Sequence, residues 1–309
     1  MHGIAAEKGI RVVSEMGLFD RFKKGRSIRP VDLETRFELK RSAISGTMSN
    51  FFMAHDRTRE EIVGLKIADD KKTEAFEMRF RGLDKPTEGE IALKFDHPNV
   101  VKTHEHGTAT SGSKYVVMEY IEGPGMQTVI REANPLFKGK CLLLIRQMAE
   151  AIGYLHKQGF IHRDICPRNY ICSPDGNKAT LFDFGLTIPD QRAFHQPGNR
   201  TGTPLYMAPE IIRRRWTDHR VDIFALGVSA YQLCTLQLPW PVTDTTGQAA
   251  LAHDTQEPTD ILEFRPDLNR TLATAISRCI KSNPDDRPQT ADVFLKMIQS
   301  CQGEQETSQ

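Results

Sequence analysis

The sequence predicts an α+β chain in two parts, a smaller β-rich part followed by a larger α-rich one. Three observations carry this. Short runs rich in β-branched and aromatic residues recur between Phe37 and Met118, clearest at Glu61–Ile67 and Tyr115–Met118. After Gly123–Gly125 the period changes, and Cys141–His156 sets Leu142, Ile145, Met148, Ala149, Ile152 and Leu155 on one helical face. The length, 309 residues, suits two domains or one bilobed unit at roughly 150 residues per domain.

Taken in order, residues 1–30 read as an N-terminal extension with seven Lys/Arg against three Asp/Glu. Val12, Val13, Met16, Phe19 and Phe22 give it weak helical spacing, which leaves a solvated leader or a docking segment open. Residues 31–121 form the β-rich part, with one charged helical stretch leading into Ile91–Phe95. Residues 122–300 form the α-rich part, and 301–309 a polar tail. Val221–Trp240 approaches membrane-spanning length. Asp222, Gln232 and the closing Pro239 and Pro241 make it a buried helix instead, so no integral membrane segment is expected.

Composition removes several function classes. With 41 Lys+Arg against 40 Asp+Glu the net charge is +1, so nothing global favours nucleic acid or an anionic membrane. The six cysteines, at 141, 166, 172, 234, 279 and 301, form no C-x-x-C pair. They suit a reducing cytoplasm better than a disulfide scaffold or a thiolate zinc site. The N-terminus lacks an apolar signal-peptide core.

The chemistry concentrates in His162-Arg163-Asp164-Ile165-Cys166-Pro167-Arg168-Asn169, followed by Asp183-Phe184-Gly185 and then Ala208-Pro209-Glu210. Two carboxylates and an amide suit a hard cation such as Mg²⁺ and a carboxylate that orients an attacking hydroxyl. In this order, the three motifs resemble the protein-kinase catalytic domain, and the match runs from about Phe37 to Met297. The resemblance implies a bilobal fold, with a β-rich N-lobe carrying one main helix and an α-rich C-lobe. It also implies ATP and Mg²⁺ as cofactors, and protein substrates with a Ser/Thr acceptor. It sets no oligomeric state.

The resemblance also assigns roles. Val63-Gly64-Leu65-Lys66 looks like the V-A-I-K strand, so Lys66 contacts phosphates and pairs with a helix glutamate, Glu88 by spacing, with Glu90 as the alternative. Asp164 orients the hydroxyl, and Asn169 and Asp183 hold metal. Ile44, Gly46 and Ser49 align with G-x-G-x-x-G, of which only the middle glycine is kept, so the loop over the phosphates departs from the family. Met118, Glu119 and Ile121 resemble the gatekeeper and hinge, with Phe51, Gly64 and Ile171 sandwiching adenine. Gly202-Thr203 up to Glu210 resembles the serine/threonine branch. Cys166 stands where that branch carries lysine, and Arg168 stands where tyrosine kinases often carry arginine, so Arg168 is the candidate replacement and tyrosine or dual specificity stays open. Glu210–Arg287 and Asp222 are implied supports. Thr201 is the candidate autophosphorylation site, since Asn199 occupies the usual position. Arg168, Arg200 and Arg213–Arg215 are either a basic rim for acidic substrates or a solvated charge run. Two further readings also remain. One is a pseudokinase-like binding module, suggested by the altered glycine loop; the other is a small-molecule kinase, disfavoured by the Thr203–Glu210 segment.

Overall fold

A computed structural model describes residues 29–41, 44–45, 48–198, 200–241 and 251–302, with the side chains of residues 44–45 outside the description. The first part is a six-stranded antiparallel sheet of β1 (Phe37–Leu39), β2 (Ile44–Ser45), β3 (Ser49–Asp56), β4 (Glu61–Ala68), β5 (Thr103–Thr108) and β6 (Lys114–Glu119). The order is β1-β3-β4-β6-β5, and β2 pairs with the other end of β3. One face packs Phe37, Ala54, Val63, Leu65, Tyr115 and Val117 into a small core. Four-residue α1 (Leu33–Arg36) caps this core, and Arg36 forks between buried Asp56 at 2.6 Å and Glu105 at 2.7 Å.

The charged stretch expected to run as one helix into Ile91–Phe95 is split. It forms α2 (Asp70–Glu77), a 3₁₀ turn at Met78–Phe80, and a separate α3 (Glu88–Ala92). Pro86 lacks an amide and disfavours helix in the residue before it, so α3 starts afresh. Thr87 caps it, with a reciprocal Glu90 capping box.

The second part holds α4 (Met126–Arg131), α5 (Cys141–Lys157), β7 (Phe160–Ile161), β8 (Tyr170–Cys172), β9 (Ala179–Leu181), β10 (Ile188–Pro189), α6 (Pro209–Ile212) and α7 (Arg220–Thr235). It ends with α8 (Ala252–Thr255), α9 (Ile261–Phe264), α10 (Arg270–Cys279) and α11 (Ala291–Met297). The six residues of the apolar face of α5 are all buried. In α7 every residue from Val221 to Cys234 is buried, as expected of a helix apolar on all sides and surrounded by others. Among the described residues no helix is long and apolar enough to cross a membrane. Residue 301 does not belong to a loose tail: Cys301 is 5% exposed, and its carbonyl accepts from Arg146 at 2.7 Å. All six cysteines are buried. Burial pushes the thiols of Cys166 and Cys172 up to about 12.

Two buried charges hold this half together. The guanidinium of Arg287, fully enclosed, donates to Glu210 Oε1 at 2.7 Å and Oε2 at 2.8 Å and also to the carbonyls of Lys281, Ser282 and Arg220. Asp222, at the start of α7, accepts from His156 at 2.9 Å and from the amides of His162 and Arg163, both at 2.8 Å. Removing one partner of a buried pair leaves an unpaired charge costing about 3–5 kcal/mol. Glu210→Ala is therefore expected to lower Tm by roughly 10 °C in a thermal melt; an unchanged Tm would remove the pair from the account.

His219 precedes α7, bonding Asp190 at 3.4 Å and the Gln289 carbonyl at 2.9 Å. The Asp190 hydrogen bond raises its pKa to about 8, from 6.5. Its stabilisation is then full below about pH 6.5 and is lost as pH rises through about 8. Wild type should melt above His219→Gln at pH 6, with the gap closed by pH 9.

Candidate functional site

Along β4 the side chains alternate, so with Val63 and Leu65 in the sheet core, Gly64 and Lys66 face the other side. Lys66 is 1% exposed, and its Nζ donates to Asp183 Oδ1 at 2.7 Å and to Glu88. Glu90, the alternative, is committed to the Thr87 amide at 2.8 Å, so Glu88 is the glutamate that meets the lysine. Burial alone would push the Lys66 ammonium down, but Asp183 and Glu88 outweigh it and hold it above its ordinary value. Two carboxylates share this one cation. Asp183, despite burial, is held below the usual range by Lys66, while burial leaves Glu88 above it.

The loop between β7 and β8 carries His162 to Asn169. Its entry is fixed by the two Asp222 bonds, which hold Arg163 at φ +68°, a left-handed conformation that a side chain adopts only under constraint. Asp164 follows, with Oδ1 accepting from the Thr203 amide at 2.8 Å and the Thr203 hydroxyl at 2.7 Å. Asn169 Nδ2 donates to the Asp164 carbonyl at 2.7 Å and to Oδ2 at 3.1 Å. Arg168 reaches the same place, donating to Thr203 Oγ1 at 3.1 Å and lying 3.8 Å from Asp164 Oδ2. Cys166 is buried against the Thr203 hydroxyl. Burial pushes the Asp164 carboxyl above its ordinary value, against the pull of the Thr203 bond. Gly202 completes the contact at φ +127°, where a Cβ would lie 2.8 Å from the Arg163 carbonyl, so no side chain fits.

Asp183 also has positive φ, +69°, and its Oδ1 accepts from the Gly185 amide at 3.2 Å. Phe184 turns the opposite way, packing edge-on against Phe95 at 5.0 Å and His162 at 5.7 Å. That inward anchor leaves the aspartate facing Lys66.

The structure thus gathers Lys66, Glu88, Asp164, Arg168, Asn169, Asp183 and Thr203 at the junction of sheet and helices. The adenine candidates line the sheet side and the joining segment. Gly64 lies so close to Met118 that a Cβ would be 2.9 Å from its side chain. The Glu119 amide and carboxylate are both tied to Lys102, at 2.9 Å each, while Ile121 and Ile171 are half-buried. Ser49 is buried, and its hydroxyl meets no partner among the described residues. Ile44 is placed by its backbone only, opposite Phe51, and Gly46 lies outside the described residues.

Phe182 was missed in the sequence, although it stands directly before Asp183. Its ring meets Phe51 edge-on at 5.3 Å, and the Phe51 ring in turn lies 5.1 Å from Lys66 Nζ. The Phe51 ring therefore lies over the ammonium, with Phe182 behind it. Of the five arginines read as either a basic rim or a solvated charge run, four lie apart. Arg168 belongs to the Asp164 cluster, Arg213 pairs with Asp254, and Arg200 and Arg214 line a different cavity.

A lysine–glutamate–aspartate bridge between a six-stranded sheet and a helical half, with a second aspartate held by an asparagine, defines a phosphotransferase-like cleft. The family model for the protein kinase domain matches residues 37–297, and the chain belongs to that family. It is similar to the serine/threonine-protein kinase pkn3 of Myxococcus xanthus, 31% identical over 274 residues, 84% of this chain and 48% of that protein. It is also similar to PknB of Mycolicibacterium smegmatis, 28% identical over 85% of this chain and 42% of that protein. A probable serine/threonine-protein kinase of Streptomyces coelicolor is 28% identical over 88% of this chain and 41% of its own length. The chain spans about half the length of these curated relatives, or less.

Opening the Phe51–Phe182 contact to admit a nucleotide forfeits about 0.5–1.5 kcal/mol. Phe182→Leu, which removes the contact but leaves Phe51 for adenine, should then bind ATP about 2- to 10-fold more tightly in a thermal-shift titration; unchanged or weaker binding would show that the contact does not obstruct the cleft.

Proposed function

We propose that the chain is an ATP- and Mg²⁺-dependent serine/threonine protein kinase that moves the γ-phosphoryl group of ATP to a hydroxyl of a protein substrate. The observation that carries this reading is the pair of linked clusters: Lys66 on Asp183 at 2.7 Å, and Asp164 held by Asn169 and Thr203. The relatives, serine/threonine-protein kinases by name, point the same way.

In this reading, Lys66 neutralises phosphate oxygens, kept charged and aimed by Glu88. Asp164 accepts a hydrogen bond from the substrate hydroxyl and takes its proton as the phosphoryl group moves. Thr203 and Asn169 already fix that carboxylate, so little reorganisation remains at the moment of transfer. Arg168 supplies the cation that Cys166 does not, and its bond to Thr203 supports the serine/threonine branch. Asp183 and the amide oxygen of Asn169 are hard donors fitting Mg²⁺. Among the described residues no group of three His, Cys, Asp or Glu could hold a metal alone, so phosphate and water oxygens would complete the shell. When bound, the ion offsets the negative charge of the phosphates. Residue Thr201, half-exposed in the segment before Gly202, is the proposed self-modification site. Six buried cysteines without a C-x-x-C pair support a cytoplasmic setting.

One observation favours a second reading, a nucleotide-poor binding module: the Phe51–Phe182 contact, in a chain whose sequence keeps one of the three loop glycines. Radiolabel transfer from γ-labelled ATP to a Ser/Thr peptide decides between them. Asp164→Asn is expected to lose about 10²–10⁴ in rate while keeping its ATP-dependent thermal shift. No transfer by folded wild type under the same conditions would leave the binding module.

A further inference from the structure

Glu88 reaches Lys66 from a helix of five residues, too short for its own length to fix where it lies. What fixes it is in the sheet on which it packs. Lys66 on β4 stands opposite Val116 on β6, and Val116 stands opposite His106 on β5, so the three form one row across the strands. Residues directly opposite one another share a face of the sheet. Val116 shares its core with Ile91 of α3, so the row looks towards that helix.

A bulge decides which residue ends the row. The register shifts by one between Thr103 and Glu105, so His106 and not Glu105 comes to stand opposite Val116. Glu105 is turned to the other face, where it meets Arg36. Two neighbouring residues of α3 then rest on the two ends of the row: Glu88 on Lys66, and Gly89 on His106. Gly89 is buried, and a Cβ there would overlap the Cβ and Cγ of His106 and lie 2.8 Å from its Nδ1. Its backbone is right-handed helix, which any residue adopts, so space alone excludes a side chain. Glycine weakens a helix, and here the close approach of helix to strand offsets that weakness.

We propose that Gly89 and His106 are positioning residues for the Lys66–Glu88 pair: their contact sets how closely α3 approaches the sheet, and so whether the Glu88 carboxylate reaches the ammonium. The clash that a side chain at 89 would meet includes the Cβ of His106, which no change of rotamer moves. The helix itself must lift, and the adjacent Glu88 lifts with it. Asp183 comes to Lys66 from the helical half and is left in place.

The effect on rate rests on the kinase reading, whereas the geometry is measurable without turnover. A water-soluble carbodiimide forms an amide between a carboxylate and an amine in contact and leaves as its urea. Lys66–Glu88 and Lys66–Asp183 links are counted by mass spectrometry in one digest of the full chain, the second serving as the internal reference. Gly89→Ala is expected to lower the ratio of Glu88 to Asp183 links about 10-fold, and Gly89→Ala with His106→Gly, which removes the obstructing Cβ, to restore it to within about 3-fold. His106→Gly alone adds no bulk and takes away the support, so it should lower the ratio about 3-fold, and it carries the test if Gly89→Ala does not fold. In peptide phosphorylation Gly89→Ala should lose about 10- to 100-fold in kcat with little change in KM. Adding Glu88→Gln to it should cost little more, because the pair is already parted. A ratio unchanged in Gly89→Ala or in His106→Gly would overturn the proposal. So would equal falls in both links, or a double variant that restores nothing. Links that respond as expected in a wild-type chain that transfers no phosphate would uphold the contact and overturn the kinase reading alone.

Discussion

One buried ammonium ties the two halves of the molecule together. Lys66 hangs from the sheet, almost sealed from water, and its charge is tolerable only because Asp183 from the helical half and Glu88 from α3 face it together. Each partner is held in place by something else: Asp183 by the inward packing of Phe184 against Phe95, and Glu88 by a helix that begins one residue earlier at its own cap. Sheet, helix and loop therefore cannot shift independently without stranding a buried charge.

Asp222 plays the matching part below the cleft. Rooted in a helix buried on every side, it fixes the two amides before Asp164 and so sets the direction of that carboxylate. The strain at Arg163 and Asp183, both left-handed, sits at the ends of the two segments that carry the working groups. Rigid helices behind the site offset what the loops in front of it would otherwise relax.

Much of this was legible in the sequence because it depends on spacing. The periodicity of α5, the buried reading of α7, and the choice of Glu88 over Glu90 all rest on residues whose neighbours are close in the chain or belong to a dense motif. What escaped depends on contacts across the fold. Pro86 breaks the stretch expected to be one helix, a local signal outweighed by the run of charged residues around it. Cys301 looks like tail composition yet is held through Arg146, far away in sequence. The Phe51–Phe182 pair needs the roof and floor to be brought together before either ring has a partner. The run Arg213–Arg215 reads as one basic patch in a string of letters, but the turn after α6 sends Arg213 to Asp254 and Arg214 to the cavity.

The sulfur of Cys166 sits two residues from Asp164, a location where a reactive thiol would expose the cleft to every oxidant the protein meets. Burial holds it protonated at any physiological pH, and the same enclosure surrounds the other five cysteines. The cysteines of the folded chain are thus shielded from peroxide and alkylating agents until the packing itself gives way.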